Sequence, residues 1–194
     1  MKDSAERAEK TELLDKLFSY LAHRGLENIT IREMCKGTGV VQGTLYYWFG
    51  DKTTIICECA EYGIQKVTDE IFKYVFANMQ DLKRFFSVCL DAIDAYKTEL
   101  RFMYQMAASP VYGAGIRAKA GHYTVTYDKY AAELANKLQC DAQTLRPLVR
   151  LFVSAVLDYV IWEERDATQM QLDFIYSSLT TELHRVNGHT WQES

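Results

Sequence analysis

Residues 42–52 carry several side chains that can form hydrogen bonds to another molecule: the carboxamide of Gln42, the hydroxyl groups of Thr44 and Tyr47, and the ammonium group of Lys52. A carboxamide can pair with the edge of adenine, whereas hydroxyl and ammonium groups suit phosphate oxygens or base edges. Gly43, next to Gln42, allows close approach of the backbone to a partner. These residue types are chemically able to contact nucleic acid.

Basic residues around this segment offer contacts with phosphate. Asp51 is a suitable N-cap, so Lys52 falls in the first turn of the helix that follows, where its charge and the helix amides can meet one phosphate. Arg32 and Lys36 are further candidates for phosphate contacts. Taken alone, Lys52 would be a solvated surface charge.

Two short predicted helices, joined by a turn that contains glycine, position these groups. Thr30 and Glu33 have the spacing of a capping box, which predicts that a helix begins after Thr30. Gly39 suits the turn, where a side chain would clash or a positive φ is required. The residues suited to hold the two helices together are Ile31, Met34, Cys35, Leu45, Trp48 and Phe49. The pattern is that of a helix-turn-helix.

In this register the chain resembles the tetracycline-repressor (TetR) family of bacterial transcription regulators. The residues that match the family's N-terminal pattern, without a gap, are Thr30, Ile31, Gly39, Val40, Gly43, Leu45, Tyr46, Phe49 and Lys52. The specific resemblance covers about residues 10–60, and the remainder agrees only in length and helical character. The resemblance implies a regulator whose partner is an operator in double-stranded DNA.

The resemblance also assigns a role to Tyr46, whose counterpart in the family contacts the DNA backbone. It favours recognition over core packing for Tyr46 and Tyr47, whereas Trp48 is interpreted as mainly structural. Val41 replaces the family's usual Ser or Thr cap, and Gln42 stands where Lys or Arg is common. The residues expected to contact DNA are Thr30, Arg32, Gln42, Gly43, Thr44, Tyr46, Tyr47 and Lys52.

The charge balance leaves a second interpretation open. The chain has a net charge of −4. Residues 1–52, which include the predicted helix-turn-helix, hold eight basic and eight acidic residues and therefore carry no net charge. A basic patch is the usual footprint of a nucleic-acid-binding protein, and residues 41–49 contain no basic residue. The alternative is a TetR-like helical protein that binds a ligand or a protein partner without sequence-specific DNA binding.

Apolar residues follow the helical period along the whole chain, and no convincing strand pattern occurs. We therefore expect an all-α fold, with an N-terminal three-helix helix-turn-helix domain at residues 1–52 and a larger helical domain for ligand binding and dimerisation at residues 53–194. The first helix is expected to end at Gly25, and a long helix to run from Lys52 into residues 71–76. Further helices are predicted at 81–97, 99–107, 113–138, 142–164 and 168–186.

The larger domain is rich in aromatic and methionine side chains, which most often form a core. An apolar pocket with few polar groups is also how helical domains hold small ligands, and in the resembled family the ligand lies among the middle helices. The candidate ligand-binding residues are Phe86, Phe102, Met106, Tyr123, Tyr127 and Trp162. The expected effector is an unidentified small molecule of apolar or aromatic character.

The predicted helices at 142–164 and 168–186 carry more apolar surface than one core face requires. A helix that is apolar on two faces is buried on two sides. An isologous four-helix interface with a second copy would bury the extra face, and it is also the arrangement in the resembled family. We therefore expect a homodimer, and a repressor that the effector releases from a palindromic operator.

Other classes of protein are disfavoured. The four histidines are scattered, and no catalytic triad, metal-ligand spacing or phosphate-binding loop occurs, so we expect no enzyme, no metal and no cofactor. Reduced thiols are the plain interpretation of the five cysteines, and a redox sensor at Cys57 and Cys59 is the alternative. The absence of a signal-peptide pattern and of a membrane-spanning run predicts a soluble, cytoplasmic protein with no membrane partner.

Overall fold

The structure is a computed structural model that describes residues 2–119 and 121–187, with side chains described for residues 5–116, 118 and 127–185. All regular structure in these residues is α-helical, which confirms the predicted fold class. The chain begins with α1 (Lys2–Arg24), α2 (Ile31–Thr38), α3 (Gln42–Phe49) and α4 (Lys52–Asn78). It continues with α5 (Leu82–Asp94), α6 (Lys97–Ala108), α7 (Gly113–Lys119), α8 (Gly121–Leu138), α9 (Ala142–Trp162) and α10 (Arg165–Asn187).

The predicted helix positions agree with the structure to within a few residues at most ends. The helix that begins at Lys52 continues to Asn78, beyond its predicted end at 71–76. The segment 113–138, predicted as one helix, corresponds to α7 and α8, which lie on either side of residue 120, outside the described residues. Apolar periodicity identifies a helix well but locates its ends poorly.

Local sequence signals account for the ends of the N-terminal helices. Gly25 has a φ of 75° and its amide donates to the carbonyl of Leu21 at 2.9 Å, so α1 ends as predicted. The capping box at α2 is complete, because the Glu33 amide donates to Thr30 Oγ1 at 3.2 Å and the Thr30 amide donates to Glu33 Oε2 at 2.8 Å.

The helices pack as two compact units, which comprise residues 1–68 with 98–119 and residues 69–97 with 120–194. Helices α6 and α7 thus pack with the helix-turn-helix segment, and α4 contributes residues to both units. The boundary at residues 52–53 stays a prediction, because packing within one chain does not test whether residues 1–52 form a domain of their own.

Within the first unit, α1 lies very close to α4. The ring of Phe18 is buried, and its centroid lies 6.3 Å from that of Tyr62 and 5.9 Å from that of Phe102. A Cβ atom added to Gly63 would lie 2.0 Å from Phe18 Cε2. The missing side chain at Gly63 is therefore what allows the two helices to approach.

Polar contacts flank this apolar contact between α1 and α4. Lys10 Nζ lies 2.7 Å from Glu58 Oε2, and the Tyr62 hydroxyl donates to Asp15 Oδ1 at 3.0 Å. Lys66 also pairs with Asp15, and its hydrogen bond, with that from Tyr62, holds the pKa of the Asp15 carboxyl below its usual value despite partial burial. Since these groups are partly exposed, each pair stabilises the packing only modestly.

The second unit combines an apolar interior with a charged corner. Phe72 stacks on Tyr130 with a centroid distance of 3.8 Å and an interplanar angle of 7°. At the corner, Asp94 of α5 accepts a hydrogen bond from the buried Tyr159 hydroxyl at 2.7 Å, and it pairs with Lys97 at 2.8 Å and Arg165 at 3.3 Å. These contacts join α5 to α9 and to the start of α10.

Substitution of Gly63 tests the contact between α1 and α4. Gly63→Ala should lower the free energy of unfolding by about 1–3 kcal/mol, because the added methyl group overpacks a buried ring that has little room to move. Urea unfolding followed by helical circular dichroism measures this change.

Gly43→Ala serves as the matched control, because no atom lies within 4 Å of a Cβ placed at Gly43. Its free energy of unfolding should stay the same or rise by up to about 1 kcal/mol, since alanine favours a helix more than glycine does. Equal and small effects of both substitutions would contradict the steric role of Gly63.

Candidate nucleic-acid interface

The turn between α2 and α3 has the geometry that the sequence predicts. Gly39 adopts a φ of 72°, and its amide donates to the carbonyl of Cys35 at 2.9 Å, which ends α2. The amide of Val40 then donates to Thr38 Oγ1 at 3.3 Å. After Val41, in extended conformation, α3 begins, so two helices of eight residues each are joined by a three-residue turn.

A buried apolar cluster holds α2 and α3 against α1 and α4. Its members are Leu17, Leu21, Ile29, Met34, Leu45, Phe49, Ile55 and Ile56. The expectation that Met34, Leu45 and Phe49 pack inside is confirmed, whereas Cys35 and Trp48 are only half-buried. Because α2 and α3 have just eight residues each, their orientation depends on this cluster rather than on their own stability.

Close packing also joins α1 to α2. A Cβ atom added to Gly37 would lie 1.9 Å from Tyr20 Cε2, so the Tyr20 ring occupies the space that a side chain at position 37 would need. Neither residue was predicted from the sequence to have a role. The sequence signal for this contact is a glycine within a predicted helix. It does not show which aromatic ring packs over that glycine.

The face of α3 away from the cluster is exposed and carries no formal charge. Gln42 and Tyr46 lie one helical turn apart, as do Gly43 and Tyr47, and all four are exposed. Thr44 is half-buried. Of the residues expected to contact DNA, these five therefore lie on or beside one surface of one helix.

The remaining expected contacts lie at the starts of α2 and α4. Thr30 is exposed, but its hydroxyl group already donates to Glu33 Oε2 at 2.9 Å. This bond and that from the Thr30 amide hold the pKa of Glu33 below its usual value. The charges of Arg24 and Lys52 act in the same direction, so Lys52 lies near an acidic neighbour. Arg32 is exposed.

The N-terminus of α4 is capped by Asp51, as the sequence predicts. The Thr54 amide donates to Asp51 Oδ1 at 2.9 Å and the Thr54 hydroxyl donates to Oδ2 at 3.0 Å, which lowers the pKa of the Asp51 carboxyl. A carboxylate at this position occupies amides that a phosphate would otherwise use. A phosphate contact here therefore depends on the ammonium group of Lys52.

The residues expected to bind a ligand are divided between the two units. Phe102 and Met106 are buried in the first unit. Phe86 is buried in the second unit, and Tyr127 is half-buried there with its ring centroid 6.4 Å from that of Phe72.

Two further ligand candidates differ from these four. Trp162, at the end of α9, is 69% exposed. The side chain of Tyr123 lies outside the described residues.

An apolar cavity of about 60 Å³ lies within the second unit. Its lining comes from α4, α5, α8, α9 and α10 and includes Phe72, Phe86, Leu134, Val149 and Ile175. Only apolar side chains line it, so the cavity offers a place for a small apolar group but no partner for a polar one. Of the five ligand candidates whose side chains are described, Phe86 alone is in the lining.

Three of the five cysteines lie in surroundings that disfavour the reactive thiolate. Burial raises the pKa of Cys89 to about 12, and it also raises the pKa of Cys59 and of Cys140. A thiol with a raised pKa is poorly ionised at neutral pH and is a weak nucleophile. This disfavours Cys59 as half of a redox sensor with Cys57.

The described residues also bear on two other features, a metal site and a membrane-spanning helix. No three His, Cys, Asp or Glu side chains among them lie together as a set of metal ligands. No helix in the described ranges combines the length and the apolar character that crossing a membrane requires.

Val41, for which the sequence predicted no contact with a partner, is exposed at the start of α3. Val41 is the N-cap residue of α3, its side chain forms no capping hydrogen bond, and it is 72% exposed. The sequence signal at this position was an apolar residue where a polar N-cap residue is common. Its exposure depends on how α3 packs, which the local sequence does not reveal.

Comparison with known proteins agrees with this geometry. Residues 13–59 match the family described as bacterial regulatory proteins, tetR family. The chain is also similar to the HTH-type transcriptional repressor KstR2 of Rhodococcus jostii (strain RHA1), with 34% identity over 55 residues. That match covers 28% of this chain and 27% of the relative, so it spans about a quarter of the relative's length. No solved structure matches the chain.

The family match begins within α1 and ends in the first turns of α4, so it contains α2, α3 and the turn at Gly39. The matched segment, the order of its helices and the position of its turn all indicate the same helix-turn-helix. Residues 13–59 are therefore similar to the TetR family in sequence, and in the structure they form a helix-turn-helix.

Proposed function

We propose that this protein is a homodimeric cytoplasmic repressor that binds a palindromic operator and responds to a small apolar effector. The observation that carries the DNA-binding part is the exposed face of α3, where Gln42, Gly43, Tyr46 and Tyr47 lie together on a helix that a buried cluster holds in place. In a helix-turn-helix, the second helix enters the major groove.

Each exposed group has a role that its chemistry supports. The Gln42 carboxamide pairs with an adenine edge, and Gly43 lets the backbone approach the groove. The hydroxyl groups of Tyr46 and Tyr47 suit phosphate or base contacts, as does that of Thr44 if it is reached from the groove. At the flanks of α3, Lys52, Arg32 and the backbone near Thr30 suit phosphate.

A second candidate function rests on the same face of α3. Because the helix carries no charge, it gains none of the electrostatic attraction that dominates nonspecific DNA binding. The alternative is therefore a protein that binds a ligand or a protein partner without recognising a DNA sequence.

Two substitutions at the proposed interface test the DNA-binding roles. Gln42→Ala should reduce the preference for the operator over random duplex, because it removes a base contact. Lys52→Ala should weaken binding to both duplexes alike and flatten the salt dependence of log K by about one unit, because it removes a phosphate contact. Fluorescence anisotropy with a genomic operator and with random DNA, at two salt concentrations, measures both effects.

The outcomes separate the two candidate functions. Equal losses on operator and random duplex in both variants would contradict the assigned roles. Failure of the unsubstituted protein to bind any genomic fragment specifically would favour the alternative function instead.

The proposed dimer interface lies on α9 and α10. Leu151 and Trp162 are exposed eleven positions apart, on one side of α9, and Met170 and Phe174 are exposed one turn apart on α10. Large exposed apolar side chains that cluster on neighbouring helices indicate an interaction surface. A second copy would cover this surface by packing its own α9 and α10 against it.

Phe174→Asp should convert the dimer into a monomer, because Phe174 is 66% exposed in the single chain and a carboxylate there would be buried in the dimer. Sedimentation equilibrium at micromolar concentration measures the state. Val111→Asp, at a valine that is 70% exposed between α6 and α7, is the control and should leave the dimer intact. A monomeric unsubstituted protein would refute the dimer and with it the palindromic operator.

The apolar cavity in the second unit supports the effector part of the proposal. Its lining includes Phe86, whose ring lies 5.2 Å from that of Phe85 and 5.7 Å from that of Tyr176. A small apolar group can enter such a cavity without losing hydrogen bonds to water. The roles of Phe102, Met106, Tyr123, Tyr127 and Trp162 in ligand binding stay predictions.

The effector must favour one conformation of the protein over another in order to release DNA. Helix α4 contributes residues to both units, with its first turn beside α3 in sequence and its last turns in the cavity lining. We propose that this helix transmits the presence of the effector to the helix-turn-helix.

Val149→Ile should weaken effector binding severalfold while leaving operator affinity without effector unchanged, because the added methyl group fills part of the cavity. Thermal shift against apolar and aromatic compounds identifies a ligand, and titration of the protein–operator complex measures its effect. Val153→Ile, the same change at a residue of α9 outside the lining, is the control. A ligand that stabilises the protein but leaves operator affinity unchanged at saturation would refute the coupling.

A further inference from the structure

The composition of α3 limits which bases it can read. The helix, Gln42–Phe49, contains no Arg, Lys, Asp or Glu. Guanine is most often read by a cation that donates to O6 and N7, and cytosine by a carboxylate that accepts from N4. Neither group is present on α3, so its base contacts depend on one carboxamide, on hydroxyl groups and on apolar surface.

Val41 provides apolar surface at the end of α3 that faces bases in a helix-turn-helix. The N-terminal residues of the recognition helix are those that contact base edges. Val41 has a φ of −72° and a ψ of 138°, its carbonyl accepts from the Thr44 amide at 3.0 Å, and its side chain forms no capping bond. With 72% of the residue exposed, its isopropyl group gains almost nothing from burial in the free protein.

Tyr47 provides a second exposed apolar surface on α3. It is 76% exposed, and its ring lies edge-to-face against the half-buried ring of Trp48, with centroids 5.2 Å apart and an angle of 79° between the planes. This contact orients the Tyr47 ring before any partner arrives. Gly43, one turn earlier on the same face, has open space where a side chain would lie.

We propose that α3 reads thymine through its C5-methyl group, with Val41 as the main contact and the Tyr47 ring as the second. Thymine is the base that presents a methyl group in the major groove. Together with adenine pairing by Gln42, this contact specifies the half-site at A·T pairs. The inference rests on the proposed function, because it requires that α3 enters the major groove.

Removal of the methyl group from thymine tests the inference directly. The protein first selects its preferred duplex from a random library, and each thymine of the selected half-site is then replaced by deoxyuridine, which keeps every hydrogen-bonding group. Fluorescence anisotropy should show about fourfold weaker binding at one or two positions per half-site, the factor expected when one buried methyl group is lost.

Val41→Ala should abolish this difference, so that the variant binds thymine and deoxyuridine duplexes equally at the main position. Valine and alanine are both poor N-caps, so the substitution should leave the stability of α3 nearly unchanged, and thermal unfolding checks this. Val111→Ala, at a valine of similar exposure outside the helix-turn-helix, should keep the full fourfold difference. The four affinities form a double-mutant cycle for Val41 and the methyl group.

Three negative results would contradict different claims. If no duplex is enriched, the proposed DNA-binding function fails. If a duplex is enriched but its half-site is dominated by G·C pairs, or if deoxyuridine has no effect at any position, thymine reading fails while DNA binding stands. A deoxyuridine effect that persists unchanged in Val41→Ala overturns the role of Val41.

Discussion

The contact between Phe18 and Gly63 is the constraint on which the N-terminal architecture depends. A Cβ at Gly63 would lie 2.0 Å from the Phe18 ring, so α1 can pack against α4 at this point only because residue 63 has no side chain. The same device joins α1 to α2, where Tyr20 covers Gly37. Helix α1 is thus held on two sides by rings packed against glycine, and the short α2 and α3 take their orientation from the core that α1 helps to build.

A rigid support of this kind matters because α3 is short and uncharged. Eight residues do not form a stable helix alone, so the positions of Gln42, Val41 and Tyr47 depend on the packing of Leu45 and Phe49 beneath them. A helix without cations also gains no long-range electrostatic attraction that would keep it close to DNA before specific contacts form. In the proposed function, the selectivity of α3 for a DNA sequence depends on short-range contacts, which require well-defined side-chain positions.

The second unit is organised by different interactions. Its interior contains an apolar cavity of about 60 Å³, and one group of polar and charged side chains meets at the corner where Asp94 contacts Tyr159, Lys97 and Arg165. An apolar interior with a small void can accept a group without losing hydrogen bonds, whereas the charged corner holds the helices around it. This division is consistent with a role in binding an apolar effector.

The sequence by itself determined the features that depend on neighbours within about four residues: the all-helical class, the capping box at Thr30 and Glu33, the left-handed Gly39 and the Asp51 cap. It also identified most of the exposed face of α3. Only the tertiary structure decided which residues separated by tens of positions meet, such as Phe18 with Gly63 and Asp94 with Arg165, and that Phe102 packs with Phe18 while Phe86 lines the cavity. The physical reason is that helical periodicity shows which face of a helix is buried, but the partner of that face is chosen by the packing of all helices together.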